Sequence, residues 1–215
     1  MKTQTNIILG EDLGMGANKL YGVQGGLQLP SQVSINGSQK VTRMVGLRSQ
    51  KAPMHIRTEH GSFYVGSGAH DWGRPVENLD YDRLTGAPEM HALLYGSLTR
   101  FMQQYGVLAK PLSLMAGMPL EPLTGPPAKA NVKAARKWMR GSHTWQADGK
   151  DYQVEISQVT VTSQPVGALF DYLLDEDGKF IQTHKKAFKQ EVGIISVGFN
   201  TVELLVVRDK KPVQR

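Results

Sequence analysis

A glycine-bearing turn near the start of the chain decides the fold, and it reads Asp12-Leu13-Gly14-Met15-Gly16-Ala17-Asn18-Lys19. A short apolar run at residues 6–9 leads into this turn, and a second one at residues 20–23 follows it. Apolar runs on both sides of a glycine turn are typical of a β-hairpin. The sequence therefore predicts a strand, a turn and a strand at the start of the chain.

A related turn lies near the other end of the chain, and it reads Ser196-Val197-Gly198-Phe199-Asn200-Thr201-Val202-Glu203. When the two turns are superposed, Gly14 aligns with Gly198, and apolar runs at residues 192–195 and 202–207 flank the second turn. This is an internal repeat of one hairpin. Glycine turns can bind anions because their amides are unpaired and a phosphate can come close. Two facing turns could hold a polyphosphate, although a plain hairpin is an equal alternative for each.

Other glycine motifs are absent. No stretch has the G-x-x-x-x-G-K-[ST] spacing of a P-loop. The third glycine of a dinucleotide fingerprint is also missing, because Lys19 stands in its place.

The composition is that of an ordinary globular protein of 215 residues, with 40 % hydrophobic and 20 % charged residues. The absence of cysteine excludes disulfides, Cys-ligated zinc and thiol catalysis. The six histidines lack the spacing of a metal site. No apolar run approaches the ~20 residues that span a bilayer. We therefore expect a cytoplasmic protein with no membrane partner.

Basic residues give a net charge of +6, and five of them lie at helical spacing. Two alternatives are open for this group: a solvated helix face, which we favour, or a nucleic-acid patch. No recognition motif supports the second, so direct DNA reading is not expected. The five residues are Lys129, Lys133, Arg136, Lys137 and Arg140.

The rest of the chain mixes strands and helices, which predicts the α/β class. A helix starts near Ala87 and stops at Gly106, and two more helices are expected at residues 130–139 and 166–174. The further strands are expected at residues 27–35, 44–47, 55–58, 62–65, 112–116, 144–145, 152–156 and 159–162.

Both turns resemble the phosphate loops of the actin, Hsp70 and sugar-kinase ATPase superfamily. Within it, the chain is similar to bacterial and archaeal actin-like proteins related to the plasmid-segregation protein ParM. Four further stretches carry this likeness: Tyr64-Val65-Gly66-Ser67-Gly68, Gly73-Arg74-Pro75-Val76-Glu77-Asn78, Glu89-Met90-His91-Ala92-Leu93-Leu94-Tyr95 and Ser163-Gln164-Pro165-Val166-Gly167-Ala168.

The resemblance implies an actin-like ATPase fold of the ribonuclease H-like type, with a mixed sheet and flanking helices. Residues 1–178 would form the N-terminal domain with an inserted small subdomain. Residues 179–215 would begin a second domain, and we expect this domain to be incomplete.

The resemblance also implies a site for ATP and Mg²⁺. Asp12 would hold the metal through water, Lys19 would neutralise the β- and γ-phosphates, and Gln164 would orient the attacking water. A helix cap or turn residue is the alternative for Gln164, and an ordinary strand lysine is the alternative for Lys19. The phosphate cradle would comprise Gly14, Met15, Gly16, Ala17 and Asn18 from the first turn, and Ser196, Gly198, Phe199, Asn200 and Thr201 from the second.

Two departures from the family weaken the expected activity. Ser196 stands where the second phosphate loop normally begins with Asp, and the chain ends at Arg215, before the segment that contacts adenosine. We expect a filament-forming protein of plasmid or DNA segregation or the cytoskeleton, truncated and weakly active, with a DNA-bound adaptor as a further partner. The alternative is a non-catalytic regulatory or capping module. A sugar kinase or chaperone is a third reading, but no catalytic Asp near a sugar pocket supports a kinase.

Overall fold

The computed structural model describes residues 6–35 and 52–213, so the strand expected at residues 44–47 lies outside the described residues. Within these ranges the helices are α1 (Pro88–Tyr105), α2 (Ala128–Met139) and α3 (Gln164–Leu173). The strands are β1 (Ile7–Leu13), β2 (Ala17–Gly22), β3 (Gly25–Pro30), β4 (Val33–Ile35), β5 (Met54–Thr58), β6 (Gly61–Val65), β7 (Arg74–Pro75), β8 (Leu112–Met118), β9 (Gly141–Ala147), β10 (Lys150–Ser163), β11 (Glu191–Val197), β12 (Val202–Arg208) and β13 (Lys211–Pro212).

The larger sheet has the strand order β3-β2-β1-β8-β10-β9-β5-β6-β4-β7. Strands β1 and β10 both run parallel to β8, while the remaining pairs are antiparallel. In register, Asp12 of β1 and Thr162 of β10 both lie opposite Gly117 of β8. The carboxyl ends of these three strands therefore meet at one edge of the sheet. The expected α/β class with a mixed sheet and flanking helices is confirmed.

The second sheet, β11-β12-β13, repeats the hairpin that starts the chain. Asp12 pairs with Lys19 in the first hairpin, and Ser196 pairs with Glu203 in the second. Each turn is closed by one pair and contains four residues: Leu13 and Asn18 close residues 14–17, and Val197 and Val202 close residues 198–201. The repeat seen in the sequence is thus a repeat of register as well.

Strand β10 corrects the expectation of two separate strands at residues 152–156 and 159–162. It is one strand of 14 residues with a bulge between Ile156 and Gln158. Ser157 fills this bulge, and its hydroxyl donates a hydrogen bond of 3.0 Å to the carbonyl of Leu112. The bulge bends the strand, so that its first part pairs with β9 and its second part pairs with β8.

Helix α1 forms the centre of the core. Pro88 stands at its start and Gly106, with a φ of 98°, follows its end. The helix is buried on nearly all sides, and Leu94 and Phe101 are fully buried within the cluster that covers β2, β3, β5 and β6. Gly96 permits this close contact, because a Cβ there would lie 2.9 Å from Cγ2 of Val65.

Helices α2 and α3 begin two residues earlier than the pattern predicts. A proline lies close to each start, Pro127 before α2 and Pro165 within the first turn of α3, and proline favours this position. The five basic side chains at Lys129 to Arg140 are all exposed on α2 or directly after it, and within residues 6–35 and 52–213 none of them forms an ion pair. None of the helices in the described residues is long and apolar enough to cross a bilayer.

A buried polar chain lies between α1 and β9. His143 Nε2 lies 2.8 Å from the carbonyl of Met139, so this nitrogen carries the proton and donates it. The other ring nitrogen, Nδ1, then accepts from the Tyr95 hydroxyl at 3.0 Å. His91 lies beside Tyr95, and burial, with His60 and His143 nearby, lowers the pKa of His91 to about 4. Burial also lowers the pKa of His143.

Because the pKa values of His91 and His143 are lowered in the folded chain, we expect acid to decrease the stability of the fold. The unfolded chain binds protons at His91 near pH 6.5, whereas the folded chain binds them only near pH 4, so the stabilising contribution is present above pH 7 and is lost as the pH falls between these values. We expect the free energy of unfolding to drop by about 2 kcal/mol from this group between pH 7 and pH 5. Urea unfolding at both pH values measures this, with the His91→Phe variant losing part of the pH dependence. An equal pH dependence in the variant would contradict the assignment.

Candidate functional site

The two glycine turns face each other across a cleft of about 880 Å³ at the carboxyl edge of β1, β8 and β10. The cleft brings together nearly all of the site residues that the sequence predicts. Those that line it are Asp12, Gly14, Met15, Gly16, Ala17, Lys19, Gln164, Ser196, Gly198, Phe199, Asn200 and Thr201. Asn18 does not line the cleft, because its side chain is fully buried and donates a hydrogen bond to Glu11.

Asp12 forms the centre of a small polar network in this cleft. Its Oδ2 accepts from Lys19 Nζ at 3.0 Å, and its Oδ1 accepts from Gln164 Nε2 at 2.7 Å. Register explains both contacts: Lys19 is the cross-strand partner of Asp12, and Gln164 directly follows β10 at the shared sheet edge. The Lys19 side chain is 59 % exposed and that of Asp12 is 31 % exposed, so their ion pair contributes little to stability and both groups are accessible from the cleft.

Gln164 is not a helix cap. It is the first residue of α3, the position before it is Ser163, and no side chain caps the helix. The side-chain amide of Gln164 instead donates a hydrogen bond to Asp12, 152 positions away in the sequence. Gln164 therefore does not have the helix-capping role that the sequence leaves open.

Ser31 donates two hydrogen bonds to carbonyl groups of the first turn. Its hydroxyl donates to the carbonyl of Gly14 at 2.6 Å, and its backbone amide donates to the carbonyl of Gly16 at 3.0 Å. In a planar trans peptide the N–H of the next residue points opposite to the carbonyl. The amides of Met15 and Ala17 therefore point away from Ser31, as an anion-binding turn requires.

Gly14 is required by the shape of this turn. A Cβ at this position would lie 2.3 Å from the carbonyl oxygen of Ala17, a distance that no side chain tolerates. The equivalent glycine of the second turn, Gly198, is less crowded, with 3.4 Å to the Thr201 oxygen, and its amide closes the turn by donating to the same oxygen at 2.8 Å.

Glu203 is a residue whose importance the sequence reasoning missed. It is 8 % exposed, lies opposite Ser196 in the second hairpin, and accepts a hydrogen bond of 2.5 Å from the backbone amide of Leu120, just beyond β8. Burial raises the pKa of Glu203, and the negative charges of Asp12 and Glu121 raise it further, against the effect of the Leu120 amide. The repeat contained a signal for it, because Glu203 occupies the register position of Lys19.

Glu11 is a second missed residue. It alternates with Leu9 and Leu13 on the inner face of β1, and it is only 2 % exposed. Its Oε1 accepts from Asn18 Nδ2 at 3.1 Å, while Oε2 has no hydrogen-bond partner among the described residues. Burial raises the pKa of Glu11 well above its usual range, and the charge of Asp12 adds to this. The period of two along β1 was the signal that this acid faces inward.

The family model described as "Actin like proteins N terminal domain" matches residues 10–167. Comparison with curated proteins gives no match.

Solved structures with this fold include several actin-like proteins. The apo psk41 ParM protein is 15 % identical with a TM-score of 0.73, and the match covers 96 % of this chain and 63 % of ParM. AlfA from the B. subtilis plasmid pLS32, in a filament structure, is 15 % identical with a TM-score of 0.67, over 97 % of this chain and 69 % of AlfA. Ta0583, an archaeal actin homolog in complex with ADP, is 20 % identical with a TM-score of 0.65, over 96 % of this chain and 58 % of Ta0583. These likenesses confirm the expected fold. The chain spans less than two thirds of the ParM and Ta0583 structures.

Proposed function

This chain belongs to the family of actin-like proteins, and from that premise we propose that it binds Mg-ATP between its two glycine turns and assembles with copies of itself. The observation that supports this most is the Asp12 network, in which a lysine and a glutamine meet one carboxylate at the mouth of two facing turns. The ADP complex of Ta0583 agrees with the proposed nucleotide binding. The filament structure of AlfA agrees with the proposed self-assembly. A role in plasmid segregation or a cytoskeleton, and the domain division at residue 178, are parts of the same proposal.

Lys19 serves as the cation for the β- and γ-phosphates. Its side chain is long and more than half exposed, and the ion pair with Asp12 is in a solvated cleft, so exchanging this partner for a phosphate oxygen costs little. The amides of Met15 and Ala17, turned away from Ser31, provide neutral donors for the same oxygens.

Gln164 serves to orient the attacking water. Because its Nε2 donates to Asp12, the amide oxygen remains to accept a hydrogen bond from a water molecule. Phosphoryl transfer needs little covalent chemistry from the protein, so a group that positions the nucleophile supplies much of the rate. Asp12 thereby orients Gln164, and Gln164 in turn positions the water.

The residues present fit Mg²⁺ held through water. No cluster of three or more metal-binding side chains occurs in residues 6–35 and 52–213, so an all-protein cage is not available. Mg²⁺ does not require one, because it keeps several waters and uses one or two carboxylates together with nucleotide phosphates. Asp12, partly exposed in the cleft, has the chemistry for such a contact. When bound, the ion neutralises charge on the phosphates.

The second turn is less well equipped for hydrolysis. Ser196 offers a hydroxyl where a second carboxylate would help to hold the metal waters, and the nearby carboxyl of Glu203 is occupied by the Leu120 amide. Loss of one preorganised group typically costs about 10²- to 10³-fold in rate. We therefore expect nucleotide binding with slow hydrolysis.

Substitution at Lys19 and Gln164 separates binding from hydrolysis. We expect Lys19→Ala to weaken Mg-ATP binding by about 10- to 100-fold, because a charge-assisted hydrogen bond is lost. We expect Gln164→Ala to keep the affinity within about threefold and to slow phosphate release by about 10²-fold. Calorimetry and single-turnover phosphate release measure the two effects.

The matched control is Lys150→Ala, an exposed lysine at the start of β10, at the other end of the strand that leads to Gln164. It should leave both quantities unchanged. If Lys19→Ala binds Mg-ATP as well as Lys150→Ala does, the proposed site is wrong.

A non-catalytic capping or regulatory module is the second candidate, and one observation favours it. The outer face of β11 and β12 exposes two cross-strand apolar pairs, Ile195 with Leu204 and Val197 with Val202, at 62 to 76 % exposure. Such a patch is typical of a surface that associates with protein. This candidate needs no hydrolysis, because the chain would bind a relative through its surface.

Sedimentation with nucleotide discriminates the two candidates. Self-assembly predicts that the purified chain pellets in the presence of Mg-ATP and stays in the supernatant without it. A capping module predicts that the chain stays in the supernatant alone and reduces the pelleting of an actin-like relative. A chain that does neither at high micromolar concentration contradicts both forms of association.

A further inference from the structure

The second hairpin belongs to a separate sheet, so strand pairing does not set its position relative to the first hairpin. Within the described ranges, β11, β12 and β13 pair only with one another. Helix α3, which follows directly after β10, contacts both β11 and β12. Two bodies joined through a small interface move relative to each other unless further contacts restrain them. Keeping the two turns face to face therefore requires an attachment besides α3.

Glu203 on β12 supplies such an attachment. Its Oε1 accepts a hydrogen bond of 2.5 Å from the backbone amide of Leu120, which lies two residues beyond the end of β8. Strand β8 lies between β1 and β10 in the larger sheet, so this bond joins the second hairpin to the part of the sheet that carries Asp12. Glu203 is 8 % exposed, and water competes little for the bond.

The attachment lies close to both glycine turns. Glu203 is directly opposite Ser196, which lines the cleft, and the second turn at residues 198–201 lies between these two positions in the chain. The second turn also approaches the first, because a Cβ placed on Gly16 would lie 2.8 Å from the Cβ of Phe199. A tilt of the small sheet about α3 would change this separation. The bond from Leu120 to Glu203 opposes that tilt.

The attachment needs an acceptor oxygen and does not need a negative charge. Burial raises the pKa of Glu203, and the charges of Asp12 and Glu121 raise it further. The two neighbouring acids therefore repel an ionised Glu203. The Leu120 amide, by contrast, requires only an oxygen with a lone pair, which a neutral side-chain amide of the same length also offers.

We propose that Glu203 is a positioning residue, whose side-chain oxygen holds the second turn opposite the first through the Leu120 amide. This inference rests on the proposed nucleotide site and extends it to a residue that touches neither nucleotide nor metal. A site that is competent in only a fraction of the molecules binds its ligand more weakly by that fraction. The length and the acceptor atom of side chain 203 therefore govern the affinity for a ligand held by both turns.

Two substitutions separate length from charge. Glu203→Gln keeps the length and the acceptor but removes the charge, whereas Glu203→Asp keeps the charge and is one methylene shorter. In calorimetry with the full chain and Mg-ADP, we expect about tenfold weaker binding by Glu203→Asp and a change within about twofold for Glu203→Gln. The matched control is Glu121→Ala, which removes an exposed acid beside Leu120 without removing the acceptor, and it should bind as the unaltered chain does.

A measurement without ligand tests the positioning itself. The chain has no cysteine, so spin labels can be attached at Lys150→Cys on the larger sheet and Ile195→Cys on the small sheet, two exposed positions. Pulsed electron paramagnetic resonance then gives the distribution of distances between the two labels. We expect the same narrow distribution with Glu203 and with Glu203→Gln, and a broader one with Glu203→Asp.

Three results would overturn the positioning role. The first is the same distance distribution and the same Mg-ADP affinity in all backgrounds. The second is a broader distribution in Glu203→Gln, which decides the matter even if Glu203→Asp does not fold. The third is weaker Mg-ADP binding by Glu203→Gln at unchanged distances, because the charge of Glu203 would then act on the metal or the nucleotide. If the unaltered chain binds no Mg-ADP, the proposed nucleotide site is wrong, and the label distances alone decide the role of Glu203. Circular dichroism establishes which variants are folded.

Discussion

The parallel pairing of β1, β8 and β10 is the constraint on which the rest of the structure depends. This register places Asp12 and Thr162 opposite the same glycine, Gly117, and so brings the side chain of Gln164 within 2.7 Å of Asp12. Parallel strands require crossovers, and α1 lies in the connection from β1 to β8, where its buried side chains pack on the sheet as part of the hydrophobic core. The core and the cleft are therefore consequences of the same strand arrangement.

The two hairpins share one strand register and carry opposite charges at equivalent positions. Lys19 and Glu203 occupy equivalent register positions, yet the first is exposed in the cleft and the second is buried against the amide of Leu120. The first hairpin therefore keeps its charged side chain accessible in the cleft, whereas the second uses its carboxyl group to attach itself to the larger sheet. This division gives a physical reason to expect tighter phosphate contacts from the first turn than from the second.

Much of the fold, and the two turns that face the cleft, could be predicted from the sequence. Glycine turns between apolar runs and the helical spacing after Ala87 are local signals, and they located the hairpins and α1 within a few residues. Long-range partners were harder, because no local pattern reveals that β10 changes partner at Ser157 or that Glu203 reaches Leu120. The side chain of Asn18 points inward because it donates a hydrogen bond to Glu11. Glu11 is a buried acid that lies outside the turn motif, so the motif did not reveal this contact.

Hydrogen–deuterium exchange with and without saturating Mg-ADP tests most directly whether both turns hold a polyphosphate. If they do, amides in residues 14–17 and 199–201 exchange more slowly with the nucleotide, because donors that face the cleft become hydrogen-bonded to phosphate oxygens. The exposed turn between β9 and β10, at Asp148 and Gly149, should exchange at the same rate in both samples. Slower exchange elsewhere in the chain, with the two glycine turns unaffected at saturation, would contradict a nucleotide site between them.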